Sequence, residues 1–509
     1  MSMFHLLDRT ARQWPHAGAV YLGARQHQTW AELRDRSRRL GHALRAEAAT
    51  GSRVAIVSAN CPQYLELMFG TWAAHQAVVP INYKLHPSEM AQILLDADPA
   101  WIFVSADLAT GLRSALEPAW HNRVCEIGTD AYEQLFEGTA LLPAPAGPET
   151  LAWLFYTSGT TGRSKGAMLS QRNLMAMTLS HLADVESIDE DCSQVHAAPM
   201  SHGSGMYIPA YVARGARQVI PASSGFAPDE FWALCHQHPG VGAFLAPTMV
   251  QRLRLALPPG TSMPRELRSI VYGGGPMYVQ ELKHSLAAFG QVFTQIYGQG
   301  ESPMTITWLR REDHTCQDDA ILGSVGIPRT GVEVRVVDEA GQDVAVGEIG
   351  EIIVRGDVVM SGYWRNPSDT AEALREGWLY TGDMGSQDAR GYLTLRDRSK
   401  DVVISGGSNI YPREVEEALL THPGVSEVSV VGQPDAEWGE VVVAFVVPTE
   451  GLTLRTAELD QHCLERIARF KRPKRYVMME ALPKNSYGKV LKRALRERLD
   501  SSEGLTAPP

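Results

Sequence analysis

Phe155 to Gly166 reads FYTSGTTGRSKG and follows an apolar run. Thr157, Ser158, Thr160 and Thr161 supply hydroxyl donors, Gly159 and its neighbouring glycines let a backbone approach an anion closely, and Lys165 brings a positive charge. Together they read as a loop that cradles a polyphosphate. By composition alone the stretch reads equally well as a flexible polar linker, because Ser/Thr/Gly clusters are common in loops. It is not a Walker A loop: counted from Gly159, Ser164 stands where the second glycine belongs, and Gly166 stands where Ser or Thr would hold Mg²⁺. A dinucleotide GxGxxG fails as well, since the third glycine falls on Ile208 after Gly203 and Gly205, and on Pro303 after Gly298 and Gly300.

Around this loop, short β-branched runs alternate with longer helical patterns, which predicts an α/β fold. Thr29 and Glu32 form a capping box ahead of a helix carrying Leu33, Leu40 and Leu44, and RVAIVS from Arg53 then reads as a buried strand. PAPAGP, residues 143–148, reads as an exposed loop between subdomains. From about residue 320 the texture changes to short strands, VEVRVVD, EIIVRG and YLTLRD, which predicts a smaller β-rich subdomain. After Arg398 it changes again, and Pro412 opens the helix REVEEALL. A division at residue 400 leaves 1–399 as a large α/β unit and 400–509 as a smaller α+β unit of ordinary domain size.

The 509 residues are 44% hydrophobic and 21% charged, which excludes wholesale disorder and a disulfide-dense miniprotein. With 47 Lys and Arg against 58 Asp and Glu, the net charge of −11 disfavours nucleic acid as a partner. The six cysteines show neither CxxC spacing nor a Cys/His cluster and read as reduced thiols. Charges interrupt the apolar residues of the N-terminus, and no long apolar run occurs, so the reading is of a cytoplasmic protein without stable membrane insertion. Dimers are common as a prior, and a homodimer is carried on that ground alone.

Further segments recur downstream in a telling order. They are Tyr297-Gly298-Gln299-Gly300-Glu301, Tyr380-Thr381-Gly382-Asp383, RSKDVVISGGSNIYP from Arg398 and PKNSYGK from Pro483 to Lys489. With TSGTTGRSKG they resemble the ordered motifs of the adenylate-forming superfamily, which contains acyl- and aryl-CoA synthetases, luciferases and peptide-synthetase adenylation domains. Within it, Trp438-Gly439-Glu440 and FKRPKR from Phe470 are similar to 4-chlorobenzoate CoA ligase and its fatty-acyl and hydroxycinnamoyl relatives.

The resemblance implies roles. Asp383 would accept hydrogen bonds from the ribose hydroxyls, with Arg398 supporting the same sugar. Tyr297 and Gly298 would lie at the adenine, beside the turn Gly274, Gly275 and Pro276. Glu301 matches the acid that binds Mg²⁺, with Thr157 beside it, since a triphosphate-bound Mg²⁺ needs only one or two protein carboxylates. Lys489 would bridge the substrate carboxylate and the α-phosphate, although in a C-terminal stretch this rich in Lys and Arg most charges are simply solvated. Lys400 matches a hinge about which the C-terminal unit turns, and Gly406 and Gly407 would then line a pantetheine tunnel. Trp438 and Phe470 would flank the CoA adenine and Arg472 would meet nucleotide phosphate. His202, Gly203 and Ser204 match the mouth of the acyl site, although a lone histidine is more often structural.

Some positions depart from the family pattern. Ser164 replaces a proline, Gly300 a threonine that contacts phosphate, and Asp397 stands where glycine often precedes the ribose arginine. The function implied is an ATP- and Mg²⁺-dependent acid:CoA ligase that forms acyl-AMP and pyrophosphate and then transfers the acyl group to CoA. Medium- to long-chain fatty acids and aromatic acids are the leading substrates. An enzyme that loads a carrier-protein phosphopantetheine is one alternative, and a nucleotide- or acyl-binding protein that has lost catalysis is another.

Overall fold

The computed structural model describes residues 2–142, 144–157, 164–258, 263–406, 408–485 and 490–502. Among these residues the strands form four sheets. A six-stranded sheet is built around Arg53–Val57, Ala77–Ile81 and Trp101–Val104, which pair in parallel, with helices such as Gln63–Ala73 as crossovers. Parallel strands covered on both faces must be apolar throughout, and Ala77–Ile81 is buried at every position. The strand Leu151–Thr157 and its antiparallel partner Lys165–Ser170 close one edge.

The capping box predicted at Thr29 is present: its side chain accepts from the Glu32 N–H, and Glu32 accepts from the Thr29 N–H at 2.7 Å. The helix it opens, Trp30–Glu47, buries Leu33, Leu40 and Leu44 against Gln63–Ala73, where Gly41 and Gly70 let the two backbones close up. Trp30, Trp72 and Trp153 are wholly buried in the same core.

A nine-stranded sheet holds Val241–Leu245, Leu267–Tyr272 and Phe293–Tyr297 as parallel neighbours, so their carboxyl ends emerge together. Ligands in open α/β sheets bind beyond such ends. The β-rich region foreseen after residue 320 is a five-stranded antiparallel sheet containing Glu333–Val337, Gly350–Arg355, Trp378–Gln387 and Leu393–Arg398. The fourth sheet, with Val425–Asp435 and Gly439–Pro448 at its centre, is formed entirely from residues beyond 400 and packs on the helices Pro412–Leu420 and Thr456–Leu464. The architecture is thus mixed α/β with a large amino-terminal part and a smaller carboxy-terminal part. No helix among the described residues is long and apolar enough to cross a membrane.

Candidate active site

Thr157 and Lys165 are register partners on adjacent antiparallel strands, which fixes both ends of the glycine-rich loop. Ser158, Gly159, Thr160 and Thr161 lie outside the described residues, as do Gly407 and Lys489. The Lys165 ammonium forms an ion pair with Asp369, which holds that carboxyl below its usual range, and it lies 5.3 Å from the Tyr363 ring centre.

Tyr363 also donates its hydroxyl to Glu301 Oε1 at 2.7 Å, and Thr157 Oγ1 donates to the same oxygen at 3.4 Å. Glu301 is therefore met from two separate chain segments. The family departure at Gly300 has a local reason: a Cβ there would stand 2.5 Å from Thr157 Cγ2 and 2.7 Å from Phe155 Cδ1. Those two side chains occupy the space that a threonine would need.

Asp383 and Arg398 face each other in register, with Arg398 Nε 3.2 Å from Asp383 Oδ1. The other oxygen of Asp383 accepts from the Tyr297 hydroxyl at 2.7 Å and from Gln299 Nε2 at 2.6 Å. Burial, reinforced by the Asp383 charge, pushes the Tyr297 phenol well up, so it is a neutral donor. Gly298 is obligatory, since a Cβ there would sit 2.5 Å from the Thr305 nitrogen. Gly274 has φ +80°, which turns the chain directly after the strand Leu267–Tyr272, and Gly275 and Pro276 continue the turn.

His202 stacks edge-on against Phe155 with ring centres 5.0 Å apart, and burial pushes its imidazole down to about 3, so it is neutral at physiological pH. Its Nδ1 lies 3.0 Å from Ser201 Oγ. Gly203 and Ser204 are buried at the start of the short helix that follows, and a Cβ on Gly203 would overlap the Phe244 ring.

In the carboxy-terminal part, Trp438 and Phe470 remain 44% and 52% exposed, large for aromatic rings with no role in the core. Lys474 Nζ lies 5.3 Å from the Trp438 ring centre, and Lys471 Nζ 5.7 Å from that of Phe470. Gly406, with φ +56°, donates its N–H to the Trp438 carbonyl at 2.8 Å and tucks under the indole, where a Cβ would stand 2.9 Å from Cε3. Arg472 is paired with Asp460. Lys400 lies in the short 3₁₀ turn Ser399–Asp401 that leads out of the strand bearing Arg398.

The structure therefore gathers Thr157, Glu301, Asp383, Arg398, Tyr297 and Gly274 at one edge of the large part, and holds Trp438, Gly406 and Lys474 together in the smaller one. Gln299, Tyr363 and Asp369 were not foreseen. Gln299 stands at the variable position of a recognised motif, but Tyr363 and Asp369 belong to no motif, and only the fold brings them to Glu301 and Lys165.

Family descriptions and relatives agree with this layout. The description "AMP-binding enzyme" matches residues 7–364, and "AMP-binding enzyme C-terminal domain" matches 414–489. The chain is similar to a feruloyl-CoA synthase of Amycolatopsis sp, at 36% identity over 493 residues covering 96% of this chain and 97% of that protein. It is also similar to the medium/long-chain-fatty-acid–CoA ligase FadD8 of Mycobacterium tuberculosis, 31% identical with 98% and 90% covered. Among solved structures, ATP-bound MatB from Rhodopseudomonas palustris superposes with a TM-score of 0.88 at 31% identity, covering 98% of this chain and 99% of that one. The apo form of MatB gives 0.78 at 30% identity over the same shares of the two chains. With both matched regions in order and relatives aligned over nearly its full length, this chain belongs to the AMP-binding enzyme family.

Proposed function

We propose that the protein is an AMP-forming acid:CoA ligase, which joins a medium- to long-chain fatty acid or an aromatic acid to CoA at the expense of ATP. The observation that carries the reading is Asp383 held between Arg398, Tyr297 and Gln299, next to Glu301 with its two hydroxyl donors. A carboxylate so fixed by donors on both oxygens is a rigid acceptor for a pair of vicinal hydroxyls, the chemistry of a ribose. Full-length similarity to a feruloyl-CoA synthase and to a fatty-acid–CoA ligase supports the substrate class.

In this reading ATP lies with its adenine between Tyr297 and the turn at Gly274, its ribose on Asp383, and its phosphates against Thr157, Lys165 and the rest of the glycine-rich loop. Lys165 exchanges Asp369 for phosphate. The donor set around Glu301 fits Mg²⁺: one carboxylate flanked by neutral hydroxyls suits a hard cation that keeps most of its ligands as water and phosphate oxygen, and no group of three or more metal-ligating acids, histidines or cysteines occurs among the described residues. Glu301 would hold that ion with Thr157 beside it, and the ion would offset charge on the phosphates. The acid enters past the neutral His202, and its carboxylate attacks the α-phosphorus, releasing pyrophosphate. Lys489 bridges the two reacting groups and offsets the charge that develops between them.

For the second step, residues 400–509 act as a mobile unit and turn about Lys400. Lys489 is withdrawn, and Gly406 and Gly407 line the path along which the CoA thiol reaches the acyl carbonyl. Trp438 and Phe470 receive the CoA adenine, and Arg472 turns from Asp460 to nucleotide phosphate. The test is acid-dependent exchange of labelled pyrophosphate into ATP, followed by thioester formation on addition of CoA, across aliphatic and aryl acids. Exchange without thioester on CoA, but with acyl transfer to a carrier protein, would favour the carrier-loading alternative.

A further inference from the structure

The segment of residues 360–370 touches both Glu301 and Lys165, the two charged groups assigned above to the triphosphate. It is fastened along the strand Lys165–Ser170: the Ser361 N–H donates to the Met168 carbonyl and the Met168 N–H to the Gly362 carbonyl, both at 2.9 Å, and the Trp364 N–H donates to the Gly166 carbonyl at 2.8 Å. The Met360 N–H donates to the Glu301 carbonyl at 2.8 Å. Gly362, at φ +135°, lets Thr370 fold back over the segment, since a Cβ there would stand 2.7 Å from Thr370 Cγ2. Thr370 Oγ1 accepts from the Tyr363 N–H at 2.8 Å and donates to the Asn366 carbonyl at 2.7 Å, and Asn366 caps the helix Pro367–Ala373 by accepting from the Asp369 N–H at 3.1 Å. The backbone that carries Asp369 is therefore held from several sides.

From this mount Tyr363 donates to Glu301, its ring centre lies 5.3 Å from the Lys165 ammonium, and Asp369 pairs with that ammonium. A carboxylate thus occupies the lysine beside the acid assigned to the phosphate-bound cation. The two side chains are 21% and 27% exposed, and an ion pair so open to water adds little to stability. It is easily exchanged. Lys165 is the main cause that holds the Asp369 carboxyl below its usual range, and the charge of Lys400 contributes as well. Asp369 therefore keeps a cation in its field when Lys165 turns to another anion.

We propose that Asp369 is a positioning residue that competes with phosphate for Lys165 and so drives pyrophosphate out of the site after acyl-AMP has formed. The inference rests on the ligase reading and deepens it. ATP is held through adenine, ribose and phosphates together, so it takes Lys165 from a weak partner at small cost. In the first step a carboxylate oxygen bonds to the α-phosphorus, the bond from that phosphorus to the bridging oxygen breaks, and pyrophosphate departs with the oxygen and the electron pair. Pyrophosphate has then lost every contact made through adenosine. The flexible four-carbon stem of Lys165 returns the ammonium to a carboxylate that has stayed in place.

The test measures the calorimetric Kd and the stopped-flow dissociation rate of magnesium pyrophosphate, together with KM for ATP, in the wild type, Asp369→Asn, Asp369→Glu, and Lys165→Ala with and without Asp369→Asn. Removing a competitor of this strength should tighten pyrophosphate about two- to fivefold in Asp369→Asn, through slower dissociation, and lower KM for ATP. Asp369→Glu, which keeps the charge, should bring the values back towards wild type. In the Lys165→Ala background the Asn exchange should alter pyrophosphate affinity by less than about 1.5-fold, because the two residues act on one another. Pyrophosphate binding that is unchanged or weaker in Asp369→Asn, dissociation that is no slower, a raised KM for ATP, or the same tightening without Lys165 would overturn the inference while leaving the ligase reading standing. Absence of pyrophosphate release by the wild type with every acid, aliphatic and aromatic, would overturn both.

Discussion

Asp397 Oδ2 and Lys492 Nζ lie 3.3 Å apart, joining the strand that precedes residue 400 to the last helix of the chain, Lys492–Ser502. Glu416 stands 3.6 Å from the same ammonium and accepts from the Tyr278 hydroxyl of the large part at 3.0 Å. The Asp397–Lys492 and Tyr278–Glu416 contacts tie the two parts together. Asp397, a departure from the family's usual glycine, thus gains a role as a positioning residue. Asp397→Ala should slow acid-dependent pyrophosphate exchange about tenfold, the equivalent of ~1.4 kcal/mol, while thioester formation from supplied acyl-AMP keeps its rate. Equal losses in both half-reactions would mark Asp397 as merely structural.

Gly300 invites a restoration experiment with a counterintuitive outcome. Threonine is the family's usual residue, yet Gly300→Thr would push against Thr157 and Phe155. Overpacking of this kind costs about 1–3 kcal/mol. The variant should melt lower and show a raised KM for ATP, because a displaced Thr157 loses its contact with Glu301. An improved KM would show that the missing hydroxyl was the limiting feature.

Trp438 offers a separable handle on the second substrate. Stacking of a base on an aromatic ring is worth about 1–2 kcal/mol by alanine substitution, so Trp438→Ala should raise KM for CoA about five- to thirtyfold. KM for ATP in pyrophosphate exchange should stay within about twofold of the wild-type value, since half of the indole faces solvent in this arrangement.

Two wholly buried histidines make stability fall with acid. Burial pushes His196 and His314 down to about 4, so in the folded protein both remain neutral while the unfolded chain takes up protons below about pH 6.5. More protons bound by the unfolded state means that stability is complete above that pH and is lost as pH falls towards 4. Each site should remove roughly 1 kcal/mol between pH 7.5 and 5.5, measurable as a drop in the urea midpoint. His196→Gln, which preserves polar contacts to Ser204 and Gln218, should flatten that dependence.

The order of motifs made the family and the α/β architecture legible before any coordinates, because the residues around Phe155, Tyr297, Asp383 and Arg398 lie in short contiguous runs whose spacing survives in one dimension. Capping at Thr29 and the first-turn proline at Pro412 were equally local signals. What the chain did not disclose depends on distance in sequence. Tyr363 meets Glu301 across 62 positions, and Arg329 meets Asp184 across 145. Such pairs carry no periodicity or spacing, and only the stacking of separate sheets creates them. The acyl end of the site was for the same reason the least legible part.

The most direct test of the central claim is a product balance on the wild-type protein, incubated with ATP, Mg²⁺, CoA and a panel of fatty and aromatic acids. AMP, pyrophosphate and acyl-CoA should appear in equal amounts, dependent on the acid, with acyl-AMP accumulating when CoA is withheld. Release of ADP and phosphate, or acyl-CoA formed without AMP, would contradict it.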